Sequence, residues 1–250
     1  MTKGLVANCL GWTRHKRANL TKARALIEVS QSLGVLPDNA IRLFIGVEGR
    51  HDIAFLKNMA RILRQEGSDV LDLEQMELDG EVIFFPLGGS SLALWTSRLA
   101  PLARPEFHLF DRDCAPPKCA KCQADADRFN TRPNCKAVIT GKKEMENYLH
   151  YQAINEAYEN VCKVSLGLSS NFSDFDDVPA LIAELVHGAS DSPVTWASLD
   201  KSAQDEKERR AKRILNEHAA LVMTKERLDD IDPNGHVMGW FGTMKALANS

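Results

Sequence analysis

Short apolar runs that alternate with helical periodicity constrain the fold of this chain more than any other feature. Four such runs occur, at 41–47, 82–85, 107–110 and 137–140. Their length and apolar character are typical of buried parallel strands. Residues 50–65 and 91–103 have the spacing of helices that connect such strands. The alternation predicts an α/β fold, a parallel sheet flanked by helices.

The rest of the chain divides by composition and periodicity. Further predicted helices span 19–34, 151–164, 177–188 and 199–222. With 250 residues, 44% of them hydrophobic, the chain can bury a core in one domain or in one domain with an insertion. We therefore expect three parts: a basic helical segment at 1–40, an α/β core at 41–150 with a cysteine-containing insertion near 114–135, and a helical region at 151–250 whose tail completes the site.

Acidic side chains follow three of the predicted strands. Glu48 comes after the first strand, Asp111 and Asp113 after the third, and Glu144 and Glu146 shortly after the fourth. Because the carboxyl ends of neighbouring parallel strands open onto one crevice, we expect these carboxylates to converge. They would repel one another without a cation between them, and oxygen ligands favour Mg²⁺, Mn²⁺ or Ca²⁺. The sequence therefore predicts a divalent-metal site suited to phosphate chemistry.

The spacing within these groups indicates how they could share metal ions. Asp52 lies one helical turn after Glu48, so both could ligate one ion. Asp111 and Asp113 occupy alternate positions of an extended segment and should therefore point to one face. The same spacing should place Glu144 and Glu146 on one face, where they would ligate a second ion. Two ions about 4 Å apart would activate water and stabilise a leaving 3′ oxygen. The alternative is structural, because acidic residues are common at helix N-termini and in turns.

Together, these residues resemble the Toprim domain, the metal-dependent catalytic fold of topoisomerases, primases and several nucleases. The shared pattern is a Glu after the first strand and Asp-x-Asp after a later one, here Glu48 and Asp111-Arg112-Asp113. Within the Toprim families the chain is most similar to the C-terminal nuclease half of OLD (overcoming lysogenization defect) endonucleases. The segments that carry this finer resemblance are VEGRHDIAFL, the GGSS loop at 88–91, DRD, KKEMENYL and, more faintly, DIDPNGHVMGWFGTMKAL.

The resemblance implies a Toprim-like catalytic core that cuts DNA phosphodiester bonds with two Mg²⁺ or Mn²⁺ ions per site. It implies that Glu48 exchanges protons with the attacking water. A lysine near the C-terminus, for which Lys245 is the candidate, would stabilise the transition state. Gly88 and Gly89 would let the backbone approach the DNA or the metal ions closely. The family also implies a role in defence against phage or plasmid, or in DNA repair.

Nucleic acid is the expected partner. Arg14, Lys16 and Arg17 lie in a basic stretch, residues 1–27, that contains no Asp or Glu. Such a stretch could bind phosphates, although many basic runs are only solvated faces. No segment fits the phosphate-binding pattern G-x-x-x-x-G-K-[ST], so ATP control would need a separate ATPase subunit. A homodimer would supply two sites for two strands.

Two other functions are open at the level of sequence. A Toprim nuclease or effector that cuts RNA would carry the same carboxylates, because the sequence does not display the substrate groove. A non-catalytic, metal-stabilised subunit that binds nucleic acid or an ATPase would use the carboxylates to hold its fold.

The cysteines suggest a second kind of metal site. Cys114, Cys119, Cys122 and Cys135 form a C-x₄-C-x₂-C-x₁₂-C pattern that could hold a structural Zn²⁺. Alternatively, Cys135 is a small apolar residue of a buried strand.

No apolar stretch approaches the ~20 residues that span a bilayer, and the N-terminus lacks a secretory signal. We therefore expect a cytoplasmic protein without a membrane partner, whose cysteines are thiols or metal ligands.

Overall fold

The structure, a computed structural model, describes residues 41–86, 102–190 and 192–250. Several sequence-based predictions lie outside these residues and stay predictions. They are the helix at 19–34, residues 91–101 of the helix at 91–103, the glycines Gly88 and Gly89, and the basic residues Arg14, Lys16 and Arg17.

Within the described residues, a parallel sheet of four strands forms the centre of the fold, in the order β2-β1-β3-β4. The strands are β1 (Leu43–Val47), β2 (Val82–Pro86), β3 (Glu106–Phe110) and β4 (Cys135–Ile139). The central strands β1 and β3 are buried at every position, whereas the edge strands are partly exposed. Burial on both faces explains the unbroken apolar run of β1, and the sheet confirms the predicted α/β class.

Helices flank the sheet and continue into a helical C-terminal part. In the described ranges they are α1 (Arg50–Gln65), α2 (Leu73–Leu78), α3 (Gln123–Asn130), α4 (Tyr151–Cys162), α5 (Val178–Gly188), α6 (Lys201–Ile214), α7 (Lys225–Ile231) and α8 (His236–Ala248). Helical spacing indicates α1, α4 and α5 correctly, but it does not indicate α2, α3, α7 or α8. None of these helices is both long enough and apolar enough to cross a bilayer.

The helix predicted at 199–222 is interrupted in the structure. It begins as α6, which Asp200 caps by accepting a hydrogen bond from the backbone N–H of Ala203. After Ile214 the chain turns into a π-helix at Leu215–Ala219 and then into a short 3₁₀-helix at Ala220–Val222. This change of helix type lies directly beside the candidate site described below.

The largest core lies against one face of the sheet. Ile45 of β1 and Phe107 of β3 pack there with Leu56 and Leu63 of α1 and with Phe241 of α8. All five side chains are almost fully buried. The helical C-terminal part therefore shares its core with the sheet, so that residues far apart in sequence reach the carboxyl ends of the strands.

Candidate active site

Two carboxylates are placed where β1 leads into α1. Glu48 directly follows β1, and Asp52 lies in the first turn of α1. Asp52 is 1% exposed, and its Oδ2 accepts a hydrogen bond of 2.7 Å from the backbone N–H of Gly49. This bond fixes Asp52 at the start of the helix, on the same edge of the sheet as Glu48.

The loops after β3 and β4 bring further carboxylates to this edge. Asp111 directly follows β3 and is buried. Thr140 ties the two loops together, because its hydroxyl accepts from the backbone N–H of Arg112 (2.9 Å) and donates to the carbonyl of Lys142 (2.8 Å). A 3₁₀-helix at Met145–Tyr148 follows, and the buried side chain of Glu146 belongs to it.

Glu144 stands at the start of that 3₁₀-helix. Its backbone N–H donates to the side-chain oxygen of Asn147, whose amide nitrogen donates to the carbonyls of Ser173 and Asp176. Leu149, which follows, is buried in the main core. The hydrogen bonds of Asn147 and the burial of Leu149 thus hold the two glutamates in place.

The ammonium of Lys212, in the last turn of α6, lies among these carboxylates. It is 3.2 Å from Oε2 of Glu144, 3.5 Å from Oε1 of Glu146 and 4.0 Å from Oδ2 of Asp111. Burial by itself lowers the pKa of Lys212, but Glu146, Glu144, Asp111 and Asp52 together raise it above its ordinary value. Lys212 is therefore a fixed positive charge within the cluster.

We call the cluster of Glu48, Asp52, Asp111, Glu144, Glu146 and Lys212 the acidic crevice. Burial raises the pKa of Asp52 to about 6, with Lys212 opposing the shift and Glu146 adding to it. Burial, and then the charge of Glu146, raises the pKa of Glu144 to about 8. One ammonium is too little charge for five carboxylates, so the crevice favours either protons or a further cation.

The pKa values of Asp111 and Glu48 move in the same direction. Burial raises the pKa of Asp111 well above its ordinary value; Lys212 opposes this shift, whereas Asp52 and Glu146 add to it. Burial also raises the pKa of Glu48, and the nearby charge of Asp113 adds to this effect. Negative charge is thus disfavoured at four carboxylates of the crevice, Glu48, Asp52, Asp111 and Glu144.

Four carboxylate oxygens of the crevice are buried without a hydrogen-bond partner. They are Oδ1 of Asp52, Oδ1 of Asp111, Oε1 of Glu144 and Oε2 of Glu146. Buried polar atoms are nearly always paired, so four exceptions at one place call for an explanation. Free carboxylate oxygens are the ligands that Mg²⁺ and Mn²⁺ take, and the residues present therefore fit such an ion.

Asp113 does not share a strand face with Asp111. β3 ends at Phe110, and Asp113 has a φ of 63°, which is the left-handed region rather than extended backbone. Its backbone N–H donates to the carbonyl of Lys143 (2.9 Å), and its side chain is exposed. The alternation argument fails here because the chain turns immediately after the strand, although Asp113 still lies close enough to raise the pKa of Glu48.

The structure does not bring Lys245 to the crevice. The ammonium of Lys245 forms an ion pair with Asp69, which lies beyond the C-terminal end of α1. Asp52 lies in the first turn of this 16-residue helix, and a helix of that length extends about 24 Å. The lysine that reaches the carboxylates is Lys212. No local pattern distinguishes it from the other basic residues of α6.

The four cysteines do not converge either. The Cys114 thiol donates to the carbonyl of Cys119, 3.2 Å away. Cys122 lies near the crevice, where burial and then the charges of Glu48 and Asp113 raise the pKa of its thiol. Cys135 is buried at the start of β4 in a small apolar cluster, as expected of an apolar strand residue.

A group of buried side chains able to hold a divalent metal lies at the other end of β3. Ligand atoms of Glu106, His108 and Cys135 all lie within 4.8 Å of one another, a mutual spacing that no three carboxylates of the acidic crevice reach around the Lys212 ammonium. The Arg132 guanidinium already contacts this group, with Nη2 2.5 Å from Oε1 of Glu106 and Nη1 3.1 Å from Oε2. His108 adds a contact of 2.9 Å between its Nε2 and Oε2 of Glu106. We call this group the Glu106 network.

The pKa of Glu106 reflects these contacts. Burial by itself raises it, but the hydrogen bonds from His108 and Arg132 outweigh burial and lower it below its ordinary value. Sequence reasoning missed this group. The sequence signal that could have revealed it is the pair Glu106 and His108, two polar residues at alternate positions of a strand that is buried throughout.

An open cavity of about 730 Å³ gives access to the acidic crevice. It is lined by Glu144 and Lys212 and extends past Lys201, Ser202 and Arg209 of α6. A second cavity, of about 810 Å³, lies around Arg227 and includes no carboxylate of the crevice. The first cavity therefore opens onto the crevice at Glu144 and Lys212.

The sequence matches no protein-family model and no curated protein. Among solved structures, the chain is similar to the C-terminal region of the Burkholderia pseudomallei OLD protein, with 15% identity, coverage of 78% of this chain and 98% of that chain, and a TM-score of 0.42. It is also similar to the C-terminal region of the Xanthomonas campestris pv. campestris OLD protein, with 17% identity, coverage of 83% and 96%, and a TM-score of 0.46. These proteins belong to the family that the sequence motifs resemble. Similarity of this size carries no conclusion about activity, which must come from the residues themselves.

Proposed function

We propose that the acidic crevice is the active site of a divalent-metal-dependent nuclease that hydrolyses DNA phosphodiester bonds. One observation carries the proposal: carboxylates from the loops after β3 and β4 contact a single ammonium, Asp52 of α1 interacts with the same charge, and four buried oxygens of these residues have no partner. A fold gains no stability from such an arrangement, because each unpaired buried charge is costly. An arrangement that costs stability and faces an open cavity is typical of a functional site.

The residues that would hold Mg²⁺ or Mn²⁺ are those whose carboxylates meet in the crevice or at its rim, and two ions per site are proposed. They are Glu48, Asp52, Asp111, Asp113, Glu144 and Glu146. Bound divalent ions of this kind lower the pKa of water and neutralise the charge that develops on a phosphodiester.

Glu48 and Lys212 have the properties that proton transfer and charge stabilisation require. Burial raises the pKa of Glu48 above its ordinary value, towards the range in which a carboxylate accepts a proton from water efficiently near neutral pH. The fixed ammonium of Lys212 would favour the extra negative charge of the transition state. We therefore assign to Lys212 the role that the family resemblance gives to a lysine near the C-terminus.

A cleavage assay tests this proposal. Supercoiled plasmid and single-stranded RNA would each be incubated with Mg²⁺, Mn²⁺, Ca²⁺ or EDTA and the wild-type protein, Glu48→Gln or Asp111→Asn. Glu159→Gln is the matched control, because Glu159 is an exposed carboxylate in the second half of α4 and is not a residue of the crevice. We expect wild type and Glu159→Gln to cut DNA with Mg²⁺ or Mn²⁺, and the two crevice variants to cut at background.

The outcomes separate the alternatives. Cutting of RNA but not of DNA would replace the substrate in the proposal and leave its chemistry intact. Absence of cutting by a wild-type protein that binds Mn²⁺ would contradict catalysis and favour the non-catalytic binding subunit. Cutting that persists in Asp111→Asn would place the active site elsewhere.

The family resemblance adds to the proposal a separate ATPase subunit and a role in defence against phage or plasmid, or in DNA repair, and the need to cut two strands adds a homodimer. A dimer would bring two crevices to the two strands of a duplex. Sedimentation of the pure protein with and without DNA tests this part, and a monomer under both conditions would contradict it.

A further inference from the structure

We propose that Asn216 is a positioning residue of the acidic crevice, which fixes the carboxylate of Glu146 and thereby sets the affinity for the divalent ion. This inference rests on the proposed function. Asn216 is fully buried, and its Nδ2 donates a hydrogen bond of 2.5 Å to Oε1 of Glu146. Nothing in the sequence singles out this residue, which stands in a charged helical stretch.

The amide of Asn216 has a free acceptor. Its Nδ2 also donates to the carbonyl of Lys212, 3.0 Å away, so both donor hydrogens have partners. Its Oδ1 is buried and has no hydrogen-bond partner. An amide oxygen is a ligand of the same hard type as a carboxylate oxygen, so Asn216 adds a neutral acceptor next to Glu146.

The backbone explains why Asn216 and Lys212 reach the same carboxylate. They are four positions apart, at the junction of α6 with the π-helix Leu215–Ala219. Residues at this separation lie on one face of a helix. π-Helical segments are rare and occur frequently at functional sites, because they change the direction in which the following side chains point.

Helix α1 holds this π-helix at two points. The side-chain amide of Asn58 donates to the carbonyl of Asn216 (2.9 Å), and His51 lies 3.4 Å from Glu217. The same helix carries Asp52 in its first turn. The π-helix is therefore tied to one carboxylate of the crevice through α1 and to another, Glu146, through Asn216.

Loss of this contact should affect ion binding more than folding. A carboxylate that a buried donor holds in one orientation is ready to bind an ion. Removal of such a supporting contact typically weakens metal affinity by about 10–100-fold. A residue with a purely structural role would lower the melting temperature but leave the affinity of the folded protein unchanged.

The test is a calorimetric titration with Mn²⁺ of the full chain, as wild type, Asn216→Ala and Asn58→Ala. Asn58→Ala removes a bond to the same π-helix without removing a contact to a carboxylate. We expect Asn216→Ala to bind Mn²⁺ about 10–100-fold more weakly than wild type, and Asn58→Ala to bind within about 3-fold of wild type. Equal weakening in both variants would overturn the inference, because the effect would then be general loosening.

A second variant keeps the test decisive if Asn216→Ala does not fold. Asn216→Leu has a similar shape but no donor, so it should fold and still bind Mn²⁺ about 10–100-fold more weakly than wild type. Binding as tight as that of wild type would overturn the inference. Wild type that binds no Mn²⁺ would contradict the proposed function itself, whereas wild type that binds and Asn216→Ala that binds as tightly would contradict the role of Asn216 alone.

Discussion

Strand β3 has a buried acidic residue at each end, and the two carboxylates differ in how far their charge is neutralised. At the N-terminal end, both oxygens of Glu106 have partners in Arg132 and His108. At the C-terminal end, Asp111 keeps one buried oxygen without a partner and shares a single ammonium with four other carboxylates. The pKa of Glu106 is lowered and that of Asp111 is raised, each relative to its ordinary value.

This difference separates a carboxylate whose charge is neutralised by a guanidinium from a cluster of carboxylates whose charge exceeds that of its one ammonium. The Glu106 network includes atoms able to hold a metal, but a guanidinium already neutralises its carboxylate. The acidic crevice has an excess of negative charge and faces a cavity. Under the proposed function the metal-dependent chemistry lies at the C-terminal end of the strand, and the predictions below compare the two ends.

The largest expected difference is in cleavage. Asp111→Asn should reduce metal-dependent cutting by at least about 100-fold, because it removes a charge that the divalent ions require. Glu106→Gln should cut as wild type does, once assayed at a temperature at which it is folded. Initial rates of plasmid nicking measure both. A Glu106→Gln protein that is folded and inactive would contradict the claim that cleavage depends only on the carboxylates at the C-terminal end of β3.

The next comparison removes the cation from each end. Lys212→Met leaves five carboxylates without a positive charge and should lower the free energy of unfolding in EDTA by about 3 kcal/mol. Arg132→Met should cost roughly 2–3 kcal/mol, because His108 still contacts the carboxylate of Glu106. Urea unfolding with and without Mn²⁺ measures both. Mn²⁺ should restore much of the loss in Lys212→Met only, and restoration in Arg132→Met instead would make the Glu106 network the metal site.

Stability should fall as pH rises through the range in which the crevice loses its protons. In the folded protein the pKa of Glu144 is raised from 4.5 to about 8, so between these values the folded state holds a proton that the unfolded state releases. Unfolding is then favoured as pH increases, and we expect a loss of roughly 2 kcal/mol between pH 5 and pH 8 in EDTA. Glu106 acts in the opposite sense, because its lowered pKa gives stability that is lost only below about pH 4.5.

Urea unfolding at several pH values compares wild type with Glu144→Gln. The variant cannot bind the proton, so its pH dependence between pH 5 and pH 8 should be flatter than that of wild type. A loss of equal size in the two proteins would assign the effect to other groups.

The smallest expected effect is a gain in stability. Asp111→Asn keeps the shape of the side chain and removes a buried charge, so the free energy of unfolding in EDTA should rise by about 1 kcal/mol. For a chain of this size this corresponds to a melting temperature about 2–4 °C higher. Differential scanning calorimetry measures it. A lower melting temperature would indicate that the carboxylate of Asp111 supports the fold.

The sequence predicts the parts of the site that local patterns determine. Glu48 and Asp111 directly follow apolar runs, and the parallel arrangement of those runs is enough to bring the two side chains together. The boundaries of α1 follow from its helical spacing, since its buried face includes Phe55, Leu56 and Met59. Local pattern and tertiary structure agree at these positions.

The parts that the sequence did not predict depend on tertiary packing. Lys212 and Asn216 reach Glu146 only because α6 and the π-helix pack against the loop after β4, a contact across about 70 residues of chain. No sequence signal indicates the turn at Asp113, because two aspartates at alternate positions also fit an extended segment. Lys245 carries the family motif, but the fold directs it to Asp69. Spacing along the chain cannot distinguish two lysines on different C-terminal helices.

Anomalous diffraction from crystals soaked in Mn²⁺ tests the central claim most directly, because it locates the ion without reference to activity. We expect anomalous peaks within coordination distance of Asp111, Glu48 and Glu146, with the Lys212 ammonium displaced from its present contacts or retained beside them. A peak between Glu106, His108 and Cys135 with none in the acidic crevice would contradict the account.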